Sequence, residues 1–300
     1  MRKTLIAVAV AGLFSVPTAV MAQAAAAAPA SPHTFTPNVG VVSDYLFRGV
    51  SQTFGRPAIQ GGVDYSHSSG LYAGIWGSSI TWVKDWLGKG SLEVDLYGGY
   101  KNSFAGGDWN YDVGVIAYQY PGKGGSTKGN AAVLGGQLAS PNTTEIYGAI
   151  GYKWLTLKYS QAVSSHFIGW VPTTAAGVDP TRNSRGSNYL ELNASYDLGD
   201  GWGVSGHAGH QKVKNVVTIT GVTMDADYTD WNIGVTKDVG FGVVGLTYSD
   251  TNAKGGCGTP YPASASAYCW AKGMNSTTTV PTGWKDVAQG TLVLSFKKTF

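Results

Sequence analysis

Twelve stretches of this chain alternate apolar and polar residues or have strand-like composition, and the connections between them are short and long in turn. The stretches run roughly over 36–49, 57–67, 70–80, 91–101, 109–120, 144–153, 155–164, 187–198, 201–211, 228–238, 241–250 and 290–300. Each is near the 9–11 residues that a tilted membrane-spanning strand needs. The second, fourth, sixth, eighth and tenth connections are short: HSSG, NSFAGGD, a turn near Trp154, LGDG and a turn at Gly240. The odd ones are mostly long, from VSQTFGR and TWVKDWLGKG through Pro121–Thr143, Ser164–Gly186 and Lys212–Asp227 to the 39-residue stretch Thr251–Gln289. A soluble β-sandwich has no reason to sort its loops this way. A closed antiparallel transmembrane β-barrel does, with short periplasmic turns, long extracellular loops and an even strand count.

Alternation alone does not separate these two architectures. In LEVDLYGGY, Leu92, Val94, Leu96, Gly98 and Tyr100 oppose Glu93, Asp95, Tyr97 and Gly99. In YLELNASYDL, Leu190, Leu192, Ala194, Tyr196 and Leu198 oppose Tyr189, Glu191, Asn193, Ser195 and Asp197. A sandwich buries the apolar face, whereas a barrel turns it to lipid and keeps the polar face for its lumen. Tyr45, Tyr65, Tyr100, Tyr120, Tyr152, Trp154, Tyr196, Trp202 and Phe300 stand near strand ends, where aromatic girdles belong.

Composition points the same way. Gly makes 43 of the 300 residues, and Trp and Tyr together 27, which suits pleated surfaces and disfavours helices. The start, MRKTLIAVAVAGLFSVPTAVMAQA, has Arg2 and Lys3, an apolar run from Leu5 to Val16, and small residues at Val20 and Ala22. It reads as a signal peptide over 1–22. The Ala-rich stretch 23–34 then reads as a flexible lead-in, and 35–300 as the barrel, with its long outer loop at 251–289. Removing Arg2 and Lys3 takes the formal charge from +3 to +1, too little bulk basicity to suggest nucleic acid. Cys257 and Cys269 lie in a Gly/Ser/Ala/Pro-rich region; export permits a disulfide between them, and two cysteines do not make a metal site. No cofactor motif is present.

Several blocks resemble the TorF-type porin family of Gram-negative outer membranes. They are NVGVVSDYLFRGVSQTFGRPAIQGGVDYSHSSGLYAGIWGSS (38–79), SLEVDLYGGY (91–100), NTTEIYGAIGYKWLTLKYS (142–160), YLELNASYDLGDGWGVSGHAGHQ (189–211) and DYTDWNIGVTKDVGFGVVGLTYSDT (227–251). The resemblance implies an outer-membrane barrel that passes small solutes. It implies no particular substrate and no catalytic residue. The segment 251–289 follows no pattern of that family.

Assigning the more polar face of each strand to the lumen puts Asp44, Asp64, Glu93, Asp95, Asp112, Glu145, Glu191, Asp197 and Asp230 inside, against Arg48, Lys153 and Lys158. Such a set either biases the pore towards cations or pairs across strands as structural bridges. The outer loops lean basic: Arg56, Lys84, Lys89, Lys123, Lys128, Arg182, Arg185, Lys254, Lys272 and Lys285 exceed Asp85, Asp179 and Asp286. These loops either meet lipopolysaccharide phosphates or are ordinary solvated loops. The connections after the fifth, seventh and eleventh strands are long enough to fold inward and narrow the pore.

Catalysis is disfavoured. His207 and His210, three apart on a strand, point to opposite faces, and no G-x-S-x-G elbow accompanies Ser195 or Ser205. A third class, a non-conducting structural or adhesive barrel, stays open because twelve strands lie between a filled cylinder and a wide channel. The last segment, TLVLSFKKTF, reads as the closing strand, and its Phe296 and Phe300 as a signal to the barrel-assembly machinery. With no polar patch on the lipid face, the sequence favours a monomer among outer-membrane lipids.

Overall fold

The computed structural model describes residues 31–87, 90–122, 140–170, 173–174, 177–178, 183–215, 217–219, 222–257, 266–273 and 282–300. The expected signal peptide, most of the lead-in, and Lys89, Lys123, Lys128, Asp179 and Arg182 lie outside the described residues. Twelve strands form one closed barrel: β1 His33–Val42, β2 Ala58–His67, β3 Leu71–Ser79, β4 Leu92–Phe104, β5 Trp109–Gln119, β6 Thr143–Tyr152, β7 Leu155–Ala162, β8 Asn188–Gly199, β9 Trp202–Lys212, β10 Tyr228–Asp238, β11 Val243–Thr251 and β12 Thr291–Thr299. Every strand pairs antiparallel with its sequence neighbours. β12 returns to β1 from Asn38↔Thr299 to Val42↔Ser295, so the barrel sheet has no free edge. Closure is what lipid demands, because an unpaired backbone group has no water to bond there.

The loop asymmetry is as the sequence suggests: the even connections are two to four residues long and the odd ones 12 to 39. Side-chain parity sets the two faces of the wall. Ile75, Leu96, Val113, Ile146, Leu192, Ile233, Leu292 and Leu294 are exposed on the outside. Their neighbours Glu93, Asp95, Asp112, Glu145, Lys158, Asp230 and Val293 are buried inside. A wall that is apolar outward and polar inward is the reverse of a water-soluble barrel, and the outward face requires an apolar solvent.

Several boundaries differ from the sequence reading, two of them with consequences for the lumen. β1 starts at His33, inside the expected lead-in, and stops at Val42 instead of running to residue 49. Asp44 causes the early stop: its carboxylate gathers the hydroxyls of Ser51 and Thr53 (2.7 Å each), while the Tyr45 N–H donates to Thr53 Oγ1 (3.1 Å). That network folds 43–57 inward. Tyr45, expected in a girdle, is therefore buried, as is Tyr120. Lys153, expected inside, occupies the β6–β7 turn with φ +53, exposed and 3.8 Å from Asp108.

The apolar core lies neither along the wall nor at its centre. It is gathered at the outer end, from strand termini such as Val42, Ala58, Ala162 and Val293 and from the connections above them. Those connections supply Leu46, Val50 and Phe54, then Ile80, Trp82 and Val83, then Phe167 and Trp170, then Tyr268, Trp270 and Val287. The aromatic girdle is clearest at the opposite, periplasmic rim, where Phe104, Trp109, Tyr152, Trp154, Tyr196 and Trp202 are exposed.

Candidate pore and its inward-folded plug

The plug is built around a small hairpin. Leu46–Phe47 pairs with Val50–Ser51 across a two-residue turn at Arg48 and Gly49, both with positive φ (49° and 77°). This is the turn geometry that tight hairpins require, usually met by Asn-Gly or Gly-Gly. Gly49 is needed for a second reason: a Cβ there would stand 2.7 Å from Cβ of Asp230 on β10. An arginine held in left-handed backbone is unusual, and the place of its side chain accounts for it.

Arg48 reaches across the lumen. Its Nη1 donates to Glu145 Oε1 (3.1 Å) on β6 and to Gln211 Oε1 (2.7 Å) on β9, and its Nη2 donates to Glu145 Oε2 (2.7 Å). The guanidinium also lies 4.3 Å from the Tyr189 ring centroid on β8, 4.8 Å from Phe47 and 5.7 Å from Phe167. Burial opposes the charge, but the Glu145 carboxylate more than offsets it and holds the guanidinium protonated. A bidentate pair of this kind is directional as well as strong. The hairpin tip is thus fastened to the wall opposite its own strands.

Two further connections complete the plug. The short helix α1, Trp82–Leu87, puts Trp82 edge-on to Tyr120 (5.3 Å) and against Trp270 (5.5 Å). Trp270 belongs to a hairpin of Cys269–Lys272 with Gly283–Asp286, tied back by the Cys257–Cys269 disulfide. The sequence proposed connections five, seven and eleven as inward folders. The described residues put Phe167 and Trp170 of the seventh there, with Tyr268, Trp270, Val287 and Ala288 of the eleventh, and the first and third connections join them; of the fifth, Tyr120 is buried and 123–139 lie outside the described residues. Between the first and last connections a polar hollow of about 230 Å³ remains, lined by Ser43, Asp44, Ser51, Lys285 and Asp286. Burial raises the Asp44 carboxyl above its ordinary value, while the Ser51 and Thr53 hydroxyls pull it partly back.

At the level of the plug and below it the lumen is lined by a lattice of tyrosines and carboxylates. Tyr97 donates to Asp64, Tyr72 to Asp112 (2.5 Å), Tyr118 to Glu145 (3.3 Å) and Tyr189 to Asp230 (2.8 Å). Tyr72 and Tyr147 share a hydrogen bond, and Lys158 lies 4.5 Å above the Tyr147 ring and 3.8 Å from Glu191. The rings lie flat because the inward residue beside them is glycine; Gly209 sits under Tyr189, and a Cβ there would collide with its hydroxyl.

Of the residues expected inside, Asp64, Glu93, Asp95, Asp112, Glu145, Lys158, Glu191 and Asp230 point inward from the wall, and Asp44 and Arg48 reach the interior on the plug. Asp197 has the inward parity but lies exposed at the periplasmic end of β8, accepting from the Gly199 N–H (2.8 Å). Lys101 did not figure among the expected residues, and Tyr97 and Tyr189 were placed on the polar face without a part in the site. Lys101 continues the parity of Glu93, Asp95 and Tyr97, which is the signal that would have found it; its Nζ lies 5.2 Å from the Tyr72 ring. Ser195 and Ser205 pair across β8 and β9, yet His207 is already held by Asn193 (2.7 Å), Tyr189 (2.8 Å) and Asp230 (3.0 Å), and His210 is outside. No group of three metal-ligating side chains occurs among the described residues.

A closed twelve-stranded barrel with an apolar outer belt, a polar lumen and loops sorted by side is a bacterial outer-membrane β-barrel. The chain belongs to the Gcw_chp family, a family described as bacterial proteins of unknown function, which it matches over residues 26–300. Among solved structures it is similar to the KdgM porin, with 7% identity and a TM-score of 0.44 over 88% of this chain and 99% of that one. It is also similar to the NanC porin, at 8% identity and TM-score 0.47 over 89% and 99%. A third likeness is to an outer membrane channel from Pseudomonas putida F1, at 13% identity and TM-score 0.43 over 91% and 97%. These likenesses are of architecture, and no residue role follows from them. None of the curated proteins compared with the chain matches it.

Proposed function

We propose that this protein is an outer-membrane channel for passive diffusion of small hydrophilic solutes or ions, cation-preferring in its lumen and restrained by its own plug. The observation that carries this reading is the lumen wall itself. On the wall Asp64, Glu93, Asp95, Asp112, Glu145, Glu191 and Asp230 outnumber Lys101, Lys158 and Lys297. Inward charge of one dominant sign sets which ions enter a pore. The finer family reading, a TorF-type porin, rests on the sequence blocks at 38–79 and 189–211 and fits this role. Arg56, Lys84, Arg185 and Lys254 are exposed on the outer side, where lipopolysaccharide phosphates would meet them. Phe296, in ring contact with Phe241 (5.8 Å), and the exposed Phe300 fit an assembly signal. Deleting Phe300 should lower the amount of assembled barrel and leave its conductance unchanged.

The plug supports a second reading, a barrel that never conducts and acts through its outer loops. One experiment separates the two. Folded protein in a planar bilayer under a salt gradient should give small, infrequent steps whose reversal potential favours the cation. Anion preference would remove the selectivity claim. Silence from both the wild type and the plug-released Arg48→Ala variant would replace the channel with the non-conducting reading.

A further inference from the structure

The inward carboxylates are not equally provided for. Asp64, Asp112, Glu145, Glu191 and Asp230 each receive a hydroxyl, an amide or a cation on the chain. Glu93 and Asp95 differ. Glu93 Oε1 accepts from the Tyr120 hydroxyl (3.2 Å), but Glu93 Oε2 and Asp95 Oδ1 have no hydrogen-bond partner among the described residues. Both residues are nevertheless buried, at 1% and 6% exposure. Arg48, the buried cation of the plug, is held by Glu145 and Gln211 instead.

The surroundings are specific. Glu93 and Asp95 are two apart on the inward face of β4, with Trp76 of β3 and Tyr118 of β5 in register with Asp95. Above them stand Tyr45, edge-on to Trp76 (5.6 Å), and Tyr120, edge-on to Trp82 (5.3 Å). The phenol oxygens of Tyr45 and Tyr120 both face Glu93. Two buried carboxylates without a counter-charge repel each other and carry an uncompensated desolvation cost of several kcal/mol. Two carboxylates and two phenol oxygens offer oxygen ligands of the kind a hard divalent cation accepts together with water.

We infer that Glu93 and Asp95 bind a hard divalent cation of the calcium class, and that the ion fastens the plug to β4. Tyr45 comes from the first connection and Tyr120 from the fifth, and Trp82 of the third packs on Tyr120. Neutralising the pair therefore steadies three connections at one point. The site stands whether or not the barrel conducts, so a silent bilayer would leave it untouched.

Terbium is the probe, because Trp76, Trp82 and the neighbouring tyrosines would sensitise its luminescence. With the full chain folded in detergent, the terbium signal should be displaced by calcium and not by sodium. Calcium should raise the thermal transition seen by tryptophan fluorescence, and a chelator should lower it. The Glu93→Gln/Asp95→Asn double variant should lose at least about tenfold in calcium affinity while still shifting in mobility between heated and unheated gel samples. If the double variant fails that folding check, the single Asp95→Asn variant and the chelator effect on wild type decide. Two results would overturn the inference: a wild-type thermal transition indifferent to calcium and chelator, or amide variants that keep wild-type affinity. The first means that the acid pair manages its charge with protons, and the second that calcium binds elsewhere, for instance on the outer loops.

Discussion

The outer and periplasmic halves of the lumen are filled by opposite means. The outer half holds an apolar core, in which connections far apart in sequence bring Leu46, Phe54, Trp82, Phe167, Trp270 and Val287 together, much as in a small soluble domain. The periplasmic half has no such core. There the wall's own tyrosines reach its carboxylates over inward glycines, as Tyr97 does to Asp64 and Tyr72 to Asp112. The difference teaches that a membrane barrel with an apolar exterior has two independent sources of order. Strand pairing and the polar lattice hold the cylinder, whereas burial of apolar loops holds the plug. The plug is then free to respond to conditions that leave the cylinder intact.

The sharpest way to break this comparison is Arg48→Ala. It leaves Glu145, 1% exposed on its side chain, without its counter-charge, a change that costs about 3–5 kcal/mol. Because the loss falls on the plug, conductance should rise and cation preference should sharpen while the heated-gel mobility shift persists. Loss of the barrel itself would mean that the two halves are one cooperative unit. Next comes the disulfide. Replacing Cys257 and Cys269 by Ser opens a cross-link of sequence separation 12, worth about 3 kcal/mol in loop-closure entropy. The hairpin carrying Trp270 should loosen, read as faster tryptophan quenching by acrylamide, with the cylinder unchanged.

On the periplasmic side the expected effects are smaller. Tyr97→Phe removes the hydroxyl bonded to Asp64 and should cost the cylinder about 1–2 kcal/mol, seen as a lower unfolding midpoint in urea with no change in gating. The plug should show a pH effect of its own. Burial raises the Asp44 carboxyl, so the folded plug binds that proton more tightly than the unfolded chain does, and plug stability falls as pH rises from the ordinary value of 3.8 through the raised one. Mild acid should therefore favour the closed state. His166, lowered by burial, acts in the opposite sense, and Asp44→Asn isolates the carboxyl by abolishing its share of the dependence. Open probability measured against pH in wild type and Asp44→Asn checks this. Smallest of all, Lys153→Ala should shift neither thermal stability nor reversal potential, because Lys153 and its partner Asp108 are about half exposed in a turn.

Much of the cylinder was legible from residues alone. The parity of LEVDLYGGY places Glu93 and Asp95 inside and continues to Lys101, while the strand itself runs on to Phe104, past the boundary drawn at residue 101. Strand 1 was less legible. SDYLFRG keeps a strand-like rhythm, and nothing local announces that Asp44 will bond Ser51 and Thr53 in preference to continuing the ladder with β12. Tyr45 and Tyr120 were misplaced for a related reason: an aromatic near a strand end serves a girdle or a plug equally well until its neighbours are known. Lys153 fell on a boundary, where a shift of one residue exchanges the faces of a strand.

By itself the sequence determined the number of strands, their antiparallel order, the side on which the long connections lie, and which wall residues face lipid. Those properties follow from a two-residue period and from connection length, which are local. Only the tertiary structure decided that the first and third connections enter the lumen, that Arg48 meets Glu145 and Gln211 across sequence separations of 97 and 163 residues, and that one oxygen each of Glu93 and Asp95 is left without a hydrogen bond beneath the plug. Contacts of that range depend on which loop reaches the barrel axis first and fills it. Closing the cylinder fixes that competition, and no local pattern records its outcome.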